Sequence, residues 1–124
     1  KPDTDDIREA PAIPLAKRLL SEGMSLRLHD PESSEYFAQI ITPSERVHYF
    51  GSPEEAATGA DVVIIVTEWA AYKSIDLVKV RQLMAYPLII DGRNMLDGQM
   101  VLRSGLDYRG VGRYSQIRSN RHRR

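Results

Sequence analysis

Four consecutive residues, Asp91-Gly92-Arg93-Asn94, follow the apolar run Leu88-Ile89-Ile90. A guanidinium leaving the end of a buried strand can hold a phosphate through two parallel N–H···O bonds. Gly92 lets the backbone turn close to a ligand. The plainer use of these residues is an Asp91–Arg93 pair inside an ordinary strand-to-helix loop. A second polar stretch, Lys1-Pro2-Asp3-Thr4-Asp5-Asp6-Ile7-Arg8, sets three carboxylates between two cations. In a functional reading Lys1 and Arg8 are anion ligands. In the plain one the stretch is a solvated loop whose acids favour the positive end of a helix. Three Asp in four positions also suit a hard cation, but further oxygen ligands would have to come from other loops, and no metal is expected. Thr67-Glu68-Trp69 follows another apolar run. Trp69 can stack on a base or fill a contact with a helix. Glu68 has no His or second acid beside it in sequence to form an acid–base pair. Asp30 ends an alternating stretch, as the ribose-binding acid of a dinucleotide fold does, but the glycine-rich turn is absent. Asp30-Pro31 therefore reads as a strand terminator. His29, His48 and His122 show no ligand spacing. No catalytic residue is expected in the chain.

Composition narrows the classes. The 124 residues carry 17 Lys+Arg against 17 Asp+Glu, so no broad positive field points to nucleic acid or an anionic membrane as partner. There is no cysteine, which excludes disulfides, thiolate metal sites and a cysteine nucleophile within the chain. No apolar run approaches the roughly 18–20 residues of a membrane span, and no signal-peptide pattern opens the sequence. The cytoplasm is the default location. The first residue is not Met, and the chain reads as an excerpt of a longer one.

The elements that would position these residues alternate. Asp5 and Asp6 are placed near a helix start. Ile13, Leu15, Ala16, Leu19 and Leu20 follow the helical period, with Pro14 in the first turn and Gly23 as the stop. Residues 25–29 read as a strand, 31–41 as a short helix and 47–50 as a second strand. Ser52-Pro53-Glu54-Glu55 has the pattern of a capping box, and Gly59 ends that helix. Val62-Val63-Ile64-Ile65-Val66 predicts a strand buried on both faces, as in a parallel sheet covered by helices. A helix over 74–85, a strand over 87–91, a helix over 96–103 and a strand over 107–111 complete the order. A basic tail, 115–124, is expected to be disordered. Alternation of this kind predicts a three-layer α/β/α Rossmann-like sandwich with a mostly parallel sheet. Ligands in such sheets lie outside the carboxyl ends of the strands. That draws attention to the loops after Val66 and Ile90 and to the stretch from Lys1 to Arg8.

Taken together, the opening stretch 1–11, Asp30-Pro31, Ala60-Asp61 with its apolar run, Thr67-Glu68-Trp69, Asp91-Gly92-Arg93-Asn94 and Gly110-Val111-Gly112-Arg113 resemble the C-terminal UDP-binding domain of the UDP-glucose 6-dehydrogenase family. The resemblance spans residues 1–114. It implies a piece of an NAD-dependent enzyme that oxidises UDP-glucose to UDP-glucuronate, with Lys1 and Arg93 on the nucleotide sugar and Arg8 reaching NAD. NAD itself would be held mainly by an N-terminal domain, and a central region would supply the catalytic cysteine and the contacts of a homo-oligomer. Those regions lie outside this sequence, so the chain alone is expected to be inactive. In the family an apolar strand immediately precedes the position of Lys1 and sits centrally in the sheet. Its absence here predicts two open strand edges. Two other readings stand beside this one. The first is a stand-alone, non-catalytic nucleotide-binding or protein-interaction module. The second is a phosphoacceptor domain built on Asp5, Asp6 and Asp91.

Overall fold

The computed structural model describes residues 12–67 and 70–110. Five helices and five strands alternate: α1 (Ala12–Ser21), β1 (Leu26–Leu28), α2 (Ser34–Ile40), β2 (Val47–Tyr49), α3 (Pro53–Ala57), β3 (Val63–Ile65), α4 (Leu77–Leu83), β4 (Leu88–Asp91), α5 (Gly98–Arg103) and β5 (Asp107–Gly110). A 3-10 turn, Ala70–Ser74, precedes α4. All strand pairing between these elements is parallel. The result is the expected α/β sandwich of Rossmann type.

Local chemistry sets most boundaries where the sequence places them. Gly23, at φ +89°, follows α1 and takes the left-handed turn that a side chain would strain. Ser52 caps α3, its Oγ accepting from the Glu55 N–H at 3.1 Å, with Pro53 in the first turn. The capping box is not reciprocal in its usual form, since the Ser52 hydroxyl also donates to the Glu55 carboxylate at 3.3 Å. Three helix starts come later than the sequence predicts: the 31–41 helix begins at Ser34, after the Asp30 turn, and two others follow an aspartate cap. The 74–85 helix begins at Leu77 because Asp76 caps it, accepting from the Lys79 N–H at 3.1 Å. The 96–103 helix begins at Gly98 because Asp97 caps it, accepting from the Gln99 N–H at 2.9 Å. In both cases an aspartate competes with helical extension and wins at the boundary.

The sheet is in two pieces. Among the described residues β1 pairs only with β2, and β3-β4-β5 form a separate three-stranded sheet. Among the described residues no strand pairs with the second edge of β1 or of β3. This corrects the expectation of a β3 buried on both faces: only Ile65 is buried there, while Val63 and Ile64 are half-buried. An edge strand has a neighbour on one flank only, so its apolar sequence is covered incompletely.

Each sheet has its own core. Ala16, Leu26, Phe37, Ile41 and Val47 pack around β1-β2. Ile65, Tyr72, Val80, Met84, Ile89, Leu96, Val101, Leu106 and Tyr108 belong to the core of β3-β4-β5. Among the described residues, the side chains of Arg27 and Tyr72 reach between the halves. Arg27 on β1 donates to the carbonyls of Ala56 and Glu55, both at 3.0 Å, at the carboxyl end of α3, where a cation is favoured. Its guanidinium also lies 4.3 Å from the centre of the Phe50 ring. Tyr72 donates to the His29 carbonyl at 3.1 Å. The expectations for residues 1–11, for Glu68 and Trp69 and for 111–124 lie outside the described residues.

Candidate functional site

The carboxyl end of β4 carries a closely tied polar arrangement. In register, Ile65 lies beside Asp91 and Ile89 beside Tyr108. Side chains alternate along strands, so Ile89, Asp91 and Tyr108 share one face. Asp91 and Tyr108 are both 0% exposed. A carboxylate in such a place is costly unless its lone pairs are filled. Here Oδ2 accepts from the Tyr108 hydroxyl at 2.8 Å and from the Leu96 N–H at 2.8 Å. Oδ1 accepts from the Arg93 N–H at 3.1 Å.

The loop leaving β4 is tied at each step. The Gly92 N–H donates to the Ile65 carbonyl at 2.7 Å, and a Cβ at position 92 would stand 2.8 Å from that oxygen. Asn94 adopts φ +54°, the left-handed region that asparagine tolerates better than most residues. The loop ends at Asp97, the cap of α5. Arg93 is thus delivered, half-buried, at the carboxyl edge of the sheet beside the end of β3. The sequence singles out Arg93, Gly92 and Asp91. The carboxylate contact that the structure shows is to the Arg93 backbone. Tyr108 was missed, since nothing in the local pattern of β5 marks its hydroxyl as a partner 17 positions away.

A second polar group lies where β1 and β3 end. The His29 Nδ1 and the Tyr72 hydroxyl are 3.2 Å apart, and their ring centres 5.8 Å. The same hydroxyl donates to the His29 carbonyl at 3.1 Å. Burial lowers the His29 pKa, against the nearby charges of Asp30 and Glu54, which raise it. Burial raises that of Tyr72, and Asp30 adds to the effect. Asp30 itself accepts from the N–H groups of Glu32 and Ser33 at 2.8 and 2.7 Å, which makes it the turn-former expected of Asp30-Pro31. Both bonds are to one carboxylate oxygen, Oδ1.

Lys1 and Arg8 lie outside the described residues. Among the described residues, no three His, Asp or Glu side chains gather as a metal site. The acceptor role considered for Asp91 finds no support, since a carboxylate with no exposure and three donors is closed to a phosphoryl group. Among the described residues no helix is long and apolar enough to cross a membrane.

Comparison with known proteins adds a family to this geometry. Residues 1–98 match the model of the UDP-glucose/GDP-mannose dehydrogenase family, UDP binding domain. A UDP-glucose 6-dehydrogenase of Pseudomonas aeruginosa is 38% identical over 116 residues, covering 91% of this chain and 26% of that protein. One from Bacillus subtilis is 39% identical over 119 residues, covering 96% and 27%. Among solved structures, the NDP-N-acetyl-D-galactosaminuronic acid dehydrogenase from Methanosarcina mazei superposes with a TM-score of 0.71 at 28% identity, over 90% of this chain and 22% of that one. The chain thus spans about a quarter of the length of the curated relatives it matches.

Proposed function

We propose, from the fact that this chain belongs to the UDP-glucose/GDP-mannose dehydrogenase family as its UDP binding domain, that it serves as the UDP-sugar-binding part of an NAD-dependent UDP-glucose 6-dehydrogenase. The observation that carries the reading is the Arg93 loop: a cation presented at the carboxyl edge of a parallel sheet, on a backbone held at both ends. A guanidinium there suits the diphosphate of a nucleotide sugar. Lys1 is the second substrate contact in this reading. Arg8 reaches NAD from across the domain boundary, while NAD is bound mainly by another domain.

On this reading the chain breaks no bond and is inactive alone. It contributes binding at the nucleotide, away from the reacting carbon, and such binding energy can orient the sugar and draw domains together. The partners are then the NAD-binding and central domains of the same enzyme, assembled as a homo-oligomer in the cytoplasm, with neither nucleic acid nor membrane. The break between β1 and β3 supports a further element: a strand of the longer polypeptide that completes one continuous sheet. Residues 1–114 form the domain and 115–124 a basic tail outside it.

The test is calorimetric titration of the chain with UDP and UDP-glucose, with GDP as control. Uridine-selective binding is expected. Arg93→Ala should weaken it by roughly 1.5–3 kcal/mol, the scale of a hydrogen bond to a charged group. Equal affinity in the variant would remove Arg93 from the site.

A further inference from the structure

Asp91 spends its carboxylate in an unusual way. It is enclosed in an apolar core, where an apolar side chain of similar size would avoid the desolvation cost. Its three donors come from the first residue after Gly92, from the far end of the loop and from the adjacent strand. The two backbone donors, Arg93 and Leu96, bracket the segment that presents the guanidinium. The third, the Tyr108 hydroxyl, is itself fully buried and reaches the Leu96 carbonyl as well, at 3.4 Å. One buried tyrosine thus touches both the carboxylate and the loop end it organises.

We infer that Tyr108, acting through Asp91, is a positioning residue for nucleotide binding: it fixes the Arg93 loop before the ligand arrives, without touching the ligand. The inference rests on the UDP-binding reading above. Its physical content is preorganisation. A loop already ordered loses less conformational entropy when its arginine closes on a diphosphate. Phenylalanine at 108 keeps the ring in the core and removes only the donor. Oδ2 then retains the Leu96 N–H alone, and the loop end loses its tie to β5.

Two measurements test this. In the unliganded wild-type chain, amide hydrogen exchange at Arg93 and Leu96 should already be slow, and UDP should change it little. In Tyr108→Phe the same two amides should exchange faster while Val101 in α5 keeps its protection. UDP affinity should fall by about fivefold or more at a temperature where circular dichroism shows the variant folded. A tyrosine with a merely structural role would lower the melting temperature and leave affinity in the folded state unchanged. Arg93 and Leu96 amides that are protected only after UDP is added would overturn the inference without any variant. So would wild-type affinity in Tyr108→Phe alongside weakened binding in Arg93→Ala. If the wild-type chain binds no UDP, the UDP reading falls; if Arg93→Ala binds UDP as the wild type does, Arg93 leaves the site and the positioning role alone falls.

Discussion

At the scale of single residues, Gly92 is the least replaceable part of the β4 loop. Its φ is ordinary, and the constraint is space: any Cβ meets the Ile65 carbonyl at 2.8 Å. That carbonyl is also the acceptor of the Gly92 N–H, so it cannot retreat without breaking the bond. Gly92→Ala should destabilise the chain by about 1–3 kcal/mol, the range for forced overpacking, read as a lower urea midpoint. An unchanged midpoint would mean that the β3–β4 edge yields freely. His29 makes a prediction in pH. Burial holds its folded-state pKa below 6.5, so on acidification the unfolded chain takes up the proton first. Its contribution is intact above about pH 6.5 and is lost as pH falls toward the folded-state value. Between about pH 7.5 and 5.5 the melting temperature of wild type should fall more steeply than that of His29→Gln. Parallel curves would assign the acid sensitivity elsewhere.

At the scale of elements, the capping aspartates decide where helices start. Asp97 closes the β4 loop and opens α5, accepting from two N–H groups. Asp97→Ala should cost about 1 kcal/mol in chemical unfolding. A cost near zero would show that α5 is held by packing alone. The same competition explains what was legible beforehand. The alternation of helices and strands, the strand after Tyr86, the Ser52 cap and the Asp30 turn are local patterns, and local patterns survive folding here. The Arg93 loop was legible because an Asp-Gly-Arg run after an apolar strand is a local signal too. The Tyr108–Asp91 bond was not, because it depends on which strands become neighbours and in what register. The incomplete burial of β3 was hidden for a related reason. Five consecutive β-formers in sequence describe an appetite for cover, and only the assembled sheet shows how much of it is met.

At the scale of the molecule, the two sheets behave as two cores bridged by Arg27 and Tyr72. Among the described residues β4 is flanked by strands on both sides, whereas β1 and β2 pair only with each other. Isolated two-strand ribbons are marginal without added cover. Native-state hydrogen exchange should therefore find Ile89 and Ile90 slowest, with β1 and β2 opening in a separate, lower-energy step. One shared opening energy for all five strands would show that the bridges already make a single cooperative unit. A polypeptide that inserts a strand between β1 and β3 should merge the two steps into one.

The clamp on the β4 loop also has a direction in time. Asp91 and Arg93 leave the ribosome before Tyr108, and at about 5–20 residues per second the delay is on the order of a second. During that interval the carboxylate lacks its donor from β5, and the segment that it will hold stays open. A chain stopped between Arg93 and Tyr108 contains the arginine but not the hydroxyl that sets its loop. Among the described residues, β5 is the strand whose arrival completes the hold on the β4 loop.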